Sequence, residues 1–259
     1  MILGVGVGIP FMHQKPVFNP RSINGLKIWL DATKITGLTD GTLITQWDDL
    51  SGNNFHATQS TDTKKPKYRK NIKGGLSVVN FDGLDDFLFL SGSALSLLQN
   101  IDYAAIFIVS QTTTPGSSRY LFSASIDSLI VNARLLVTRE RTAANKLGLA
   151  GRRMDGDTLV VVEGDSFVAA EWFLQTTIFD FANAKAYGYK NKNLIVTADP
   201  YQTVGNTSDT ASLAIAVGAS PSGAASISGD IGEILVYTSL LTIEQKSQID
   251  NYLIRKWGL

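Results

Sequence analysis

The acidic residues between positions 82 and 86 form the densest group in the sequence that could bind an ion. Gly83 predicts a turn among them, because glycine adopts a positive φ without steric cost. Calcium takes about six to eight oxygen ligands, commonly carboxylates and loop carbonyls. Asp82, Asp85 and Asp86, together with Asp49 from an earlier loop, are therefore the predicted ligands of a calcium ion. The alternative is that these carboxylates accept backbone amide bonds and only stabilise turns.

Several aromatic and planar polar side chains fall on predicted loops or strand ends, where a sugar could reach them. A pyranose stacks on an exposed aromatic ring, and planar polar groups bond its hydroxyls. The predicted sugar contacts are Phe55, His56, Tyr120, Trp172, Tyr201 and Arg152, with Tyr68, Arg119 and Arg153 as further candidates. For each ring the alternative is ordinary packing, which is how we interpret Trp29, Trp47 and Trp257.

The sequence lacks most of the patterns that catalysis requires. A retaining glycosidase needs two carboxyl groups about 5–5.5 Å apart with different protonation states. The nearest candidate is Glu163-Gly164-Asp165, where alternation places both acids on one side, although Gly164-Asp165 is typical of a solvated turn. No Gly-x-Ser-x-Gly nucleophile elbow occurs, and neither His13 nor His56 has an obvious acidic partner. We therefore predict that the protein is not an enzyme.

Composition narrows the classes of function further. The 23 lysines and arginines balance the 23 aspartates and glutamates, so no overall field attracts nucleic acid or an anionic membrane. Cysteine is absent, which excludes disulfides and thiolate metal sites, and two histidines make a multi-histidine zinc site improbable. No apolar run is long enough to insert into a membrane, and the N-terminus has no basic region typical of a signal peptide.

The segments that hold these residues are predicted to be strands of an all-β domain. Alternating or continuous apolar segments separated by Gly, Asn, Asp and Ser are typical of an antiparallel sandwich. The predicted strands cover residues 26–30, 103–110, 120–123, 129–138, 158–162, 172–181, 185–189, 194–197, 212–217 and 232–237. A helix closes the chain: Thr242 and Gln245 predict a capping box at its start, and Gly258 predicts its end.

Residues 1–21 differ in character from the remainder, residues 22–259. Leu3, Val5, Val7 and Ile9 alternate with glycines, so one side of an extended segment would be apolar and the other bare. One interpretation is a frayed tail. The other is an assembly arm that adds as a strand to a neighbouring subunit or scaffold.

Four segments in order resemble the LamG-like branch of the concanavalin A-like lectin/glucanase superfamily, found in bacterial surface and phage virion proteins. They are residues 25–32 (GLKIWLDA), 47–57 (WDDLSGNNFHA), 79–88 (VNFDGLDDFL) and 229–237 (GDIGEILVY), followed by residues 241–244 and 252–258. The resemblance implies a jelly-roll sandwich of two antiparallel sheets over residues 22–259 with a short C-terminal helix. Residues 110–225 match no motif of the family.

The resemblance and the arm together predict a non-enzymatic structural protein of a virion or bacterial cell surface that adheres to host or matrix glycans. Its expected partners are other virion or surface-assembly proteins, a surface glycan and further copies of itself in a homo-oligomer. Nucleic acid and membrane insertion are not expected, and calcium is the only cofactor considered. Two alternatives remain: an assembly protein without a ligand, and a glycan hydrolase.

Overall fold

Two antiparallel β-sheets of eight strands each lie face to face in the computed structural model of the protein. The structure describes residues 18–113, 119–139 and 146–259, apart from the side chain of residue 165. This architecture confirms the predicted two-sheet antiparallel sandwich with a short C-terminal helix.

Sheet A has the order β14-β13-β12-β7-β16-β5-β4, with β1 paired to a second part of β16. Sheet B has the order β11-β10-β9-β8-β15-β6-β3-β2. The strands are β1 (Leu26–Asp31), β2 (Gln46–Trp47), β3 (Ala57–Thr58), β4 (Lys67–Lys73), β5 (Leu76–Asp82), β6 (Leu88–Leu90), β7 (Tyr103–Thr112), β8 (Arg119–Ser125), β9 (Ala133–Arg139), β10 (Lys146–Gly151), β11 (Val160–Ser166), β12 (Phe173–Asp180), β13 (Lys185–Lys190), β14 (Asn193–Ala198), β15 (Ala214–Val217) and β16 (Ser228–Tyr237).

Strand β7 shows why its sequence is a continuous apolar run. Ile106 and Ile108 point into the core between the two sheets, whereas Phe107 and Val109 point to the outer side of sheet A. That outer side is covered by the C-terminal helix, so the strand is buried on both faces. Burial of both faces removes the alternation that a half-exposed strand would show.

The helix α1 (Ile243–Trp257) begins and ends where the sequence predicts. The Gln245 amide donates to Thr242 Oγ1 at 3.1 Å, and the Thr242 amide donates to Gln245 Oε1 at 2.9 Å, which completes the capping box. Gly258 ends the helix in the left-handed conformation with φ 61°. Ile249, Leu253 and Trp257 pack on sheet A. No helix in the described ranges is long and apolar enough to cross a membrane.

A buried carboxylate fastens the helix to the sheet. Glu233 of β16 accepts hydrogen bonds from Nε1 of Trp29 and Nε1 of Trp257, each at 2.9 Å, and from the Tyr252 hydroxyl at 2.8 Å. Lys256 Nζ lies 2.7 Å from the same carboxylate. Burial is the main cause that raises the pKa of Glu233, and the nearby negative charge of Asp31 raises it further.

The turn predicted at Gly164-Asp165 is wrong, because β11 continues through both residues to Ser166. A Cβ on Gly164 would collide with the backbone oxygen of Ile195 in β14. Glycine therefore allows the edges of the two sheets to approach each other. The predicted strand ranges also do not include β2 to β6 or β10, and the range for β9 was extended over a 3₁₀ turn at Ile130–Asn132.

The described chain begins on the outer side of sheet A. The ring of Phe18 lies 5.4 Å from that of Tyr252, and the carbonyl of Pro20 accepts a hydrogen bond from the Tyr237 hydroxyl at 3.0 Å. Residues 18–21 thus pack on the sandwich, and this part of the predicted arm belongs to the domain. The arm positions Leu3, Val5, Val7 and Ile9 lie outside the described residues.

Candidate functional site

An open polar cleft at one end of the sandwich is the candidate site. Three connecting segments build it: residues 98–102 before β7, residues 152–157 between β10 and β11, and residues 203–210 between β14 and β15. We call it the end cleft. It has a volume of about 520 Å³ and is lined by Asn100, Arg153, Met154, Asp155, Asn206, Thr207, Ser208, Asp209 and Thr210.

Hydrogen bonds between the first and third segments fix one wall of the end cleft. Asn206 Nδ2 donates to the carbonyl and the side-chain oxygen of Asn100, at 3.2 and 3.0 Å. The Thr207 amide donates to the Ile101 carbonyl at 2.8 Å, and the Ile101 amide donates to Thr207 Oγ1 at 3.0 Å. These bonds form within the protein alone, so the two asparagines are oriented before any ligand arrives.

Arg134 of β9 lies under the end cleft and holds all three segments. Its side chain is buried, and Nη1 donates to the carbonyls of Leu98 and Ser208, each at 3.2 Å. Nη2 forms an ion pair with Asp155 Oδ1 at 2.8 Å. Burial acts to raise the pKa of Asp155, but hydrogen bonds from Arg134 and Thr210 and the positive charges of Arg134 and Arg152 together outweigh it, so the pKa lies below its usual value. Asp155 is therefore ionised at neutral pH.

The two adjacent arginines at the cleft have different roles. Arg152, a predicted sugar contact, is buried, with Nε donating to the Asn132 carbonyl at 3.1 Å and Nη1 to the Asp155 carbonyl. Its expected exposure is wrong, because these bonds hold its loop against the turn before β9. Arg153 is half-buried and lines the cleft, with Nη1 donating to the Asn206 carbonyl at 2.7 Å.

The end cleft has the chemistry of a site for polyhydroxylated ligands. Its amides, hydroxyls, carboxylates and guanidinium offer both donors and acceptors of hydrogen bonds. A guanidinium also suits a carboxylate, because two of its N–H groups can bond both oxygens. None of the described side chains that line it is aromatic, so a sugar there would be held by hydrogen bonds rather than by stacking.

Tyr120 and Tyr201 do not offer exposed rings, and the expectation that they stack on a sugar is wrong. The exposed fractions are 0% for Tyr120 and 2% for Tyr201. Tyr201 packs against Phe179 and Phe181, with ring centroids 5.6 and 6.3 Å apart. Both belong to hydrophobic clusters: Tyr120, at the start of a predicted strand, lies within β8, and Tyr201, on a predicted loop, packs in the core between the sheets.

Trp172 lies away from the end cleft, immediately before β12. Its indole stacks on that of Trp257, with centroids 6.1 Å apart and an angle of 7° between the rings. One face of the ring is thus occupied by the helix, which matches the alternative of ordinary packing. Tyr68, a further candidate, is also buried and donates to Ser77 Oγ at 3.0 Å.

Phe55 and His56 form a separate half-buried group. Phe55 packs against the core between the sheets. His56 Nδ1 accepts a hydrogen bond from the Asp49 amide at 3.1 Å, so that nitrogen carries no proton. The Asp48 carboxylate 3.6 Å away is therefore a neighbour rather than an ion-pair partner. The structure does not bring these rings together with the end cleft.

The acidic corner keeps three of its four predicted members together. Ligand oxygens of Asp82, Asp85 and Asp86 lie within 4.8 Å of one another. Asp82 Oδ1 accepts from the Leu84 amide at 2.8 Å, and Asp86 Oδ2 accepts from the Asp82 amide at 3.0 Å, so the turn-stabilising alternative also has direct contacts. Burial, only partly offset by the Asp82 amide, raises the pKa of Asp86 to about 6.

Asp49 is not part of that corner, and its prediction as a fourth ligand is wrong. Its Oδ1 accepts the amides of Trp29 and Ser51, each at 2.9 Å. Its Oδ2 accepts from Ser51 Oγ at 2.7 Å and from the Phe55 amide at 3.0 Å. Four protein donors occupy this buried carboxylate, which shapes the loop between β2 and β3.

No protein-family model matches the chain, and no curated protein matches it. Among solved structures, Trypanosoma rangeli sialidase in complex with 2,3-difluoro-KDN is similar, with a TM-score of 0.57 and 10% identity over 96% of this chain and 36% of that chain. The same sialidase in complex with the inhibitor DANA gives a TM-score of 0.61 and 10% identity, covering 90% of this chain and 33% of that chain.

A sialidase-associated module from Ruminococcus gnavus, the CBM40 of its IT-sialidase bound to alpha2,3 sialyllactose, is similar over 70% of this chain and 96% of that chain. Its TM-score is 0.53 and its identity 18%. Likeness at this identity shows the all-β sandwich fold and does not extend to the sites. The chain spans about a third of the sialidase chains that it matches.

Proposed function

We propose that the protein is a non-enzymatic glycan-binding component of a virion or bacterial surface, and that the end cleft is its sugar site. The observation that carries the proposal is the cleft itself: polar groups on three segments converge and are fixed by Arg134 and by bonds to one another. Preorganised polar groups lose little entropy when a ligand binds, which is the requirement for recognising a hydrated sugar.

Sialylated glycans are the leading class of ligand. Arg153 at the cleft wall donates to Thr203 Oγ1 through Nε and Nη2 and to the Asn206 carbonyl through Nη1, which leaves one N–H on each terminal nitrogen for the carboxylate of an acidic sugar. The similar CBM40 module has alpha2,3 sialyllactose bound in its solved structure, which supports the choice of probe without locating the site. The ion pair with Arg134 offsets the charge of Asp155, so Arg153 and the exposed carboxylate of Asp209 are the charges in the lining that an acidic ligand would meet.

Catalysis is the less favoured function. A glycosidase needs a carboxylic acid that stays protonated at working pH, and such acids have raised pKa values. Asp155 in the end cleft has a lowered pKa instead. An assay of reducing-sugar release tests the hydrolase alternative. Release by the wild type that is lost in Glu163→Gln would support it.

Attachment to a larger assembly is proposed for the N-terminal arm. Weak sugar binding in each subunit of a homo-oligomer would add up through effective concentration. Deletion of residues 1–17 should leave the melting temperature unchanged and abolish assembly, measured by light scattering of the oligomer. Loss of folding in the truncated chain would show that the arm is an internal part of the domain.

A glycan array containing sialylated and neutral oligosaccharides tests the sugar site. We expect binding that falls at least about tenfold in Arg153→Ala and in Asn206→Ala, because each removes a polar contact in the cleft. The matched control is Arg69→Ala, since Arg69 is a half-exposed arginine of β4 paired with Asp40 at 3.1 Å. An array without hits, together with stable docking on another particle protein, would favour the purely structural alternative.

A further inference from the structure

An apolar groove lies on the outer side of sheet A, where helix α1 begins. Its lining comes mainly from β12, β13 and residues 240–246, and it has a volume of about 200 Å³. We call it the outer groove. It is lined in part by Ile178, Tyr187, Tyr189, Leu240, Ile243 and Lys246. The outer groove and the end cleft have no described lining residue in common.

The groove is bordered by exposed aliphatic side chains. Ile243, the first residue of the helix, is 84% exposed, which is the largest exposed fraction among the large apolar residues of the described ranges. Leu240 is 68% exposed, and Leu194 of β14, which pairs with Tyr189, is 55% exposed. Directly opposed residues of an antiparallel pair share a face, so Leu194 extends the apolar surface beyond the tyrosines. A contiguous exposed apolar surface of this kind indicates an interaction site.

The charges in the lining favour an uncharged partner. Lys246 and Asp180 are the two charged groups that line the groove, and they are opposite in sign. Lys246 Nζ also lies 2.7 Å from Asp250 Oδ2 and 3.9 Å from the centroid of the Tyr189 ring. The groove therefore offers no excess charge to an ion or to a charged peptide.

The N-terminal segment of the chain has a matching composition and spacing. Residues 1–12 contain no charged side chain. The aliphatic residues that alternate with glycine are Leu3, Val5, Val7 and Ile9. Residues on the same side of an extended chain follow one another at about 6.6 Å, and the ring centroids of Tyr187 and Tyr189 lie 6.5 Å apart. An extended segment alongside β13 would thus place one aliphatic side chain against each ring.

The place where the described chain begins favours a segment from another copy. Phe18 contacts Tyr252 on the outer side of sheet A. Ile243 lies nine residues before Tyr252 in the helix, which at 1.5 Å per residue is about 14 Å. Prolines at positions 10 and 16 favour an extended chain before Phe18, and nine residues in the polyproline II conformation span about 28 Å. The aliphatic segment would then begin at about twice the distance of the groove in its own copy.

We propose that the outer groove binds residues 3–9 of a second copy of the chain. The aliphatic side chains would pack against the tyrosines and against Leu240 and Ile243, and both exposed apolar surfaces would be covered. This inference rests on the proposed role of the arm in assembly and gives the arm its receiving surface. Because each copy has one arm and one groove, reciprocal exchange closes a two-fold dimer and head-to-tail exchange closes a ring.

Sedimentation velocity of the full-length chain over a range of concentrations tests the groove. Ile243→Asp should weaken self-association at least about tenfold, because it replaces an aliphatic contact by a charge. The helix should tolerate the change, since acidic residues are favourable in a first turn. The matched control is Leu213→Asp, at a 66% exposed leucine outside the groove, which should associate as the wild type does. Both variants should melt within about 2 °C of the wild type.

The absence of cysteine allows a direct test of which segment occupies the groove. Chains with Ile243→Cys are mixed under oxidising conditions with chains that carry one arm substitution: Leu3→Cys, Val5→Cys, Val7→Cys or Ile9→Cys. A disulfide requires the two Cα atoms to lie within about 7 Å. At least one mixture should therefore give a disulfide that joins the two kinds of chain, whereas mixtures with Leu213→Cys should give none.

Three results would overturn the proposal: a wild type that is monomeric at every concentration, association that Ile243→Asp leaves unchanged, or no mixed disulfide. A double variant that forms its disulfide within one chain, diluted until monomeric, would overturn the assignment to a second copy. The role of the arm is read separately by deletion of residues 1–17. If the deletion abolishes assembly and Ile243→Asp does not, only the groove is wrong. If assembly survives the deletion, the proposed role of the arm fails.

Discussion

Replacement of Arg134 by methionine is the sharpest test of how the end cleft is built. Methionine keeps an unbranched apolar side chain of similar reach but removes the bonds to the carbonyls of Leu98 and Ser208 and the ion pair with Asp155. The variant should therefore weaken both the fold and the geometry of the cleft.

The magnitude follows from the burial of the two charges. Breaking a buried ion pair by removing one partner costs about 3–5 kcal/mol. The side chain of Asp155 is 30% exposed, so water screens the charge that is left, and we take about 2–3 kcal/mol. In a chain of this size each kcal/mol lowers the melting temperature by about 2–4 °C, which gives a decrease of about 4–12 °C.

Two measurements distinguish this role from direct sugar contact. Thermal unfolding should show the decrease for Arg134→Met, whereas Arg153→Met should melt within about 2 °C of the wild type, because Arg153 is half-buried and has no buried ion pair. The Thr207 and Ser208 amides donate to the backbone carbonyls of Ile101 and Arg153. Hydrogen exchange of these two amides should accelerate in Arg134→Met and not in Arg153→Met. An unchanged melting temperature and unchanged exchange would refute the claim that Arg134 holds the cleft.

Three further predictions follow from single positions. Gly164→Ala should cost about 1–3 kcal/mol in chemical denaturation, because its Cβ meets the backbone of β14, whereas Gly156→Ala, with open space around it, should cost far less. If Asp82, Asp85 and Asp86 bind calcium, adding EDTA to a calcium-containing buffer should lower the melting temperature of the wild type, and Asp85→Asn should abolish this effect of EDTA. No effect of EDTA on the wild type argues for a metal-free turn. In metal-free buffer, the raised pKa of Asp86, about 6 against the usual 3.8, means that the folded state binds more protons. The contribution of Asp86 to the free energy of unfolding is full below about pH 4 and is lost as the pH rises through about 6. Asp86→Asn should therefore make the free energy of unfolding depend less on pH over this range.

The strands and the helix were predictable where local pattern and tertiary environment agree. The apolar run that starts at Tyr103 and the capping box at Thr242 have one structural interpretation each, and both are confirmed. Gly164-Asp165 shows the opposite case. A glycine next to an aspartate favours a turn locally, but here the glycine serves a close approach between β11 and β14 that no local pattern contains.

Burial of the rings was harder to predict because it depends on contacts far apart in the sequence. Tyr201 follows β14 in a Pro- and Gly-containing segment typical of a surface loop, yet its ring packs on Phe179 and Phe181. Arg152 and Arg153 are adjacent and chemically identical, but only Arg152 is buried. Sequence alone cannot tell which of two neighbouring arginines faces the interior.

Apart from Arg153, which was a further candidate for sugar contact, the end cleft was missed for the same reason. Asn100, Arg153 and Asn206 lie 53 residues apart in succession along the sequence, and no motif links them. Asn100 adopts φ 49°, a conformation that asparagine tolerates well, which is the one local sign of a shaped turn there. These residues lie together because the strand order brings the three segments to one end of the sandwich.

A crystal structure of the protein with the oligosaccharide that binds best on the array tests the central claim most directly. We expect density for the sugar in the end cleft, with hydrogen bonds to Arg153 and to at least one of Asn100 and Asn206. Density on another surface, with an empty end cleft, would contradict the account.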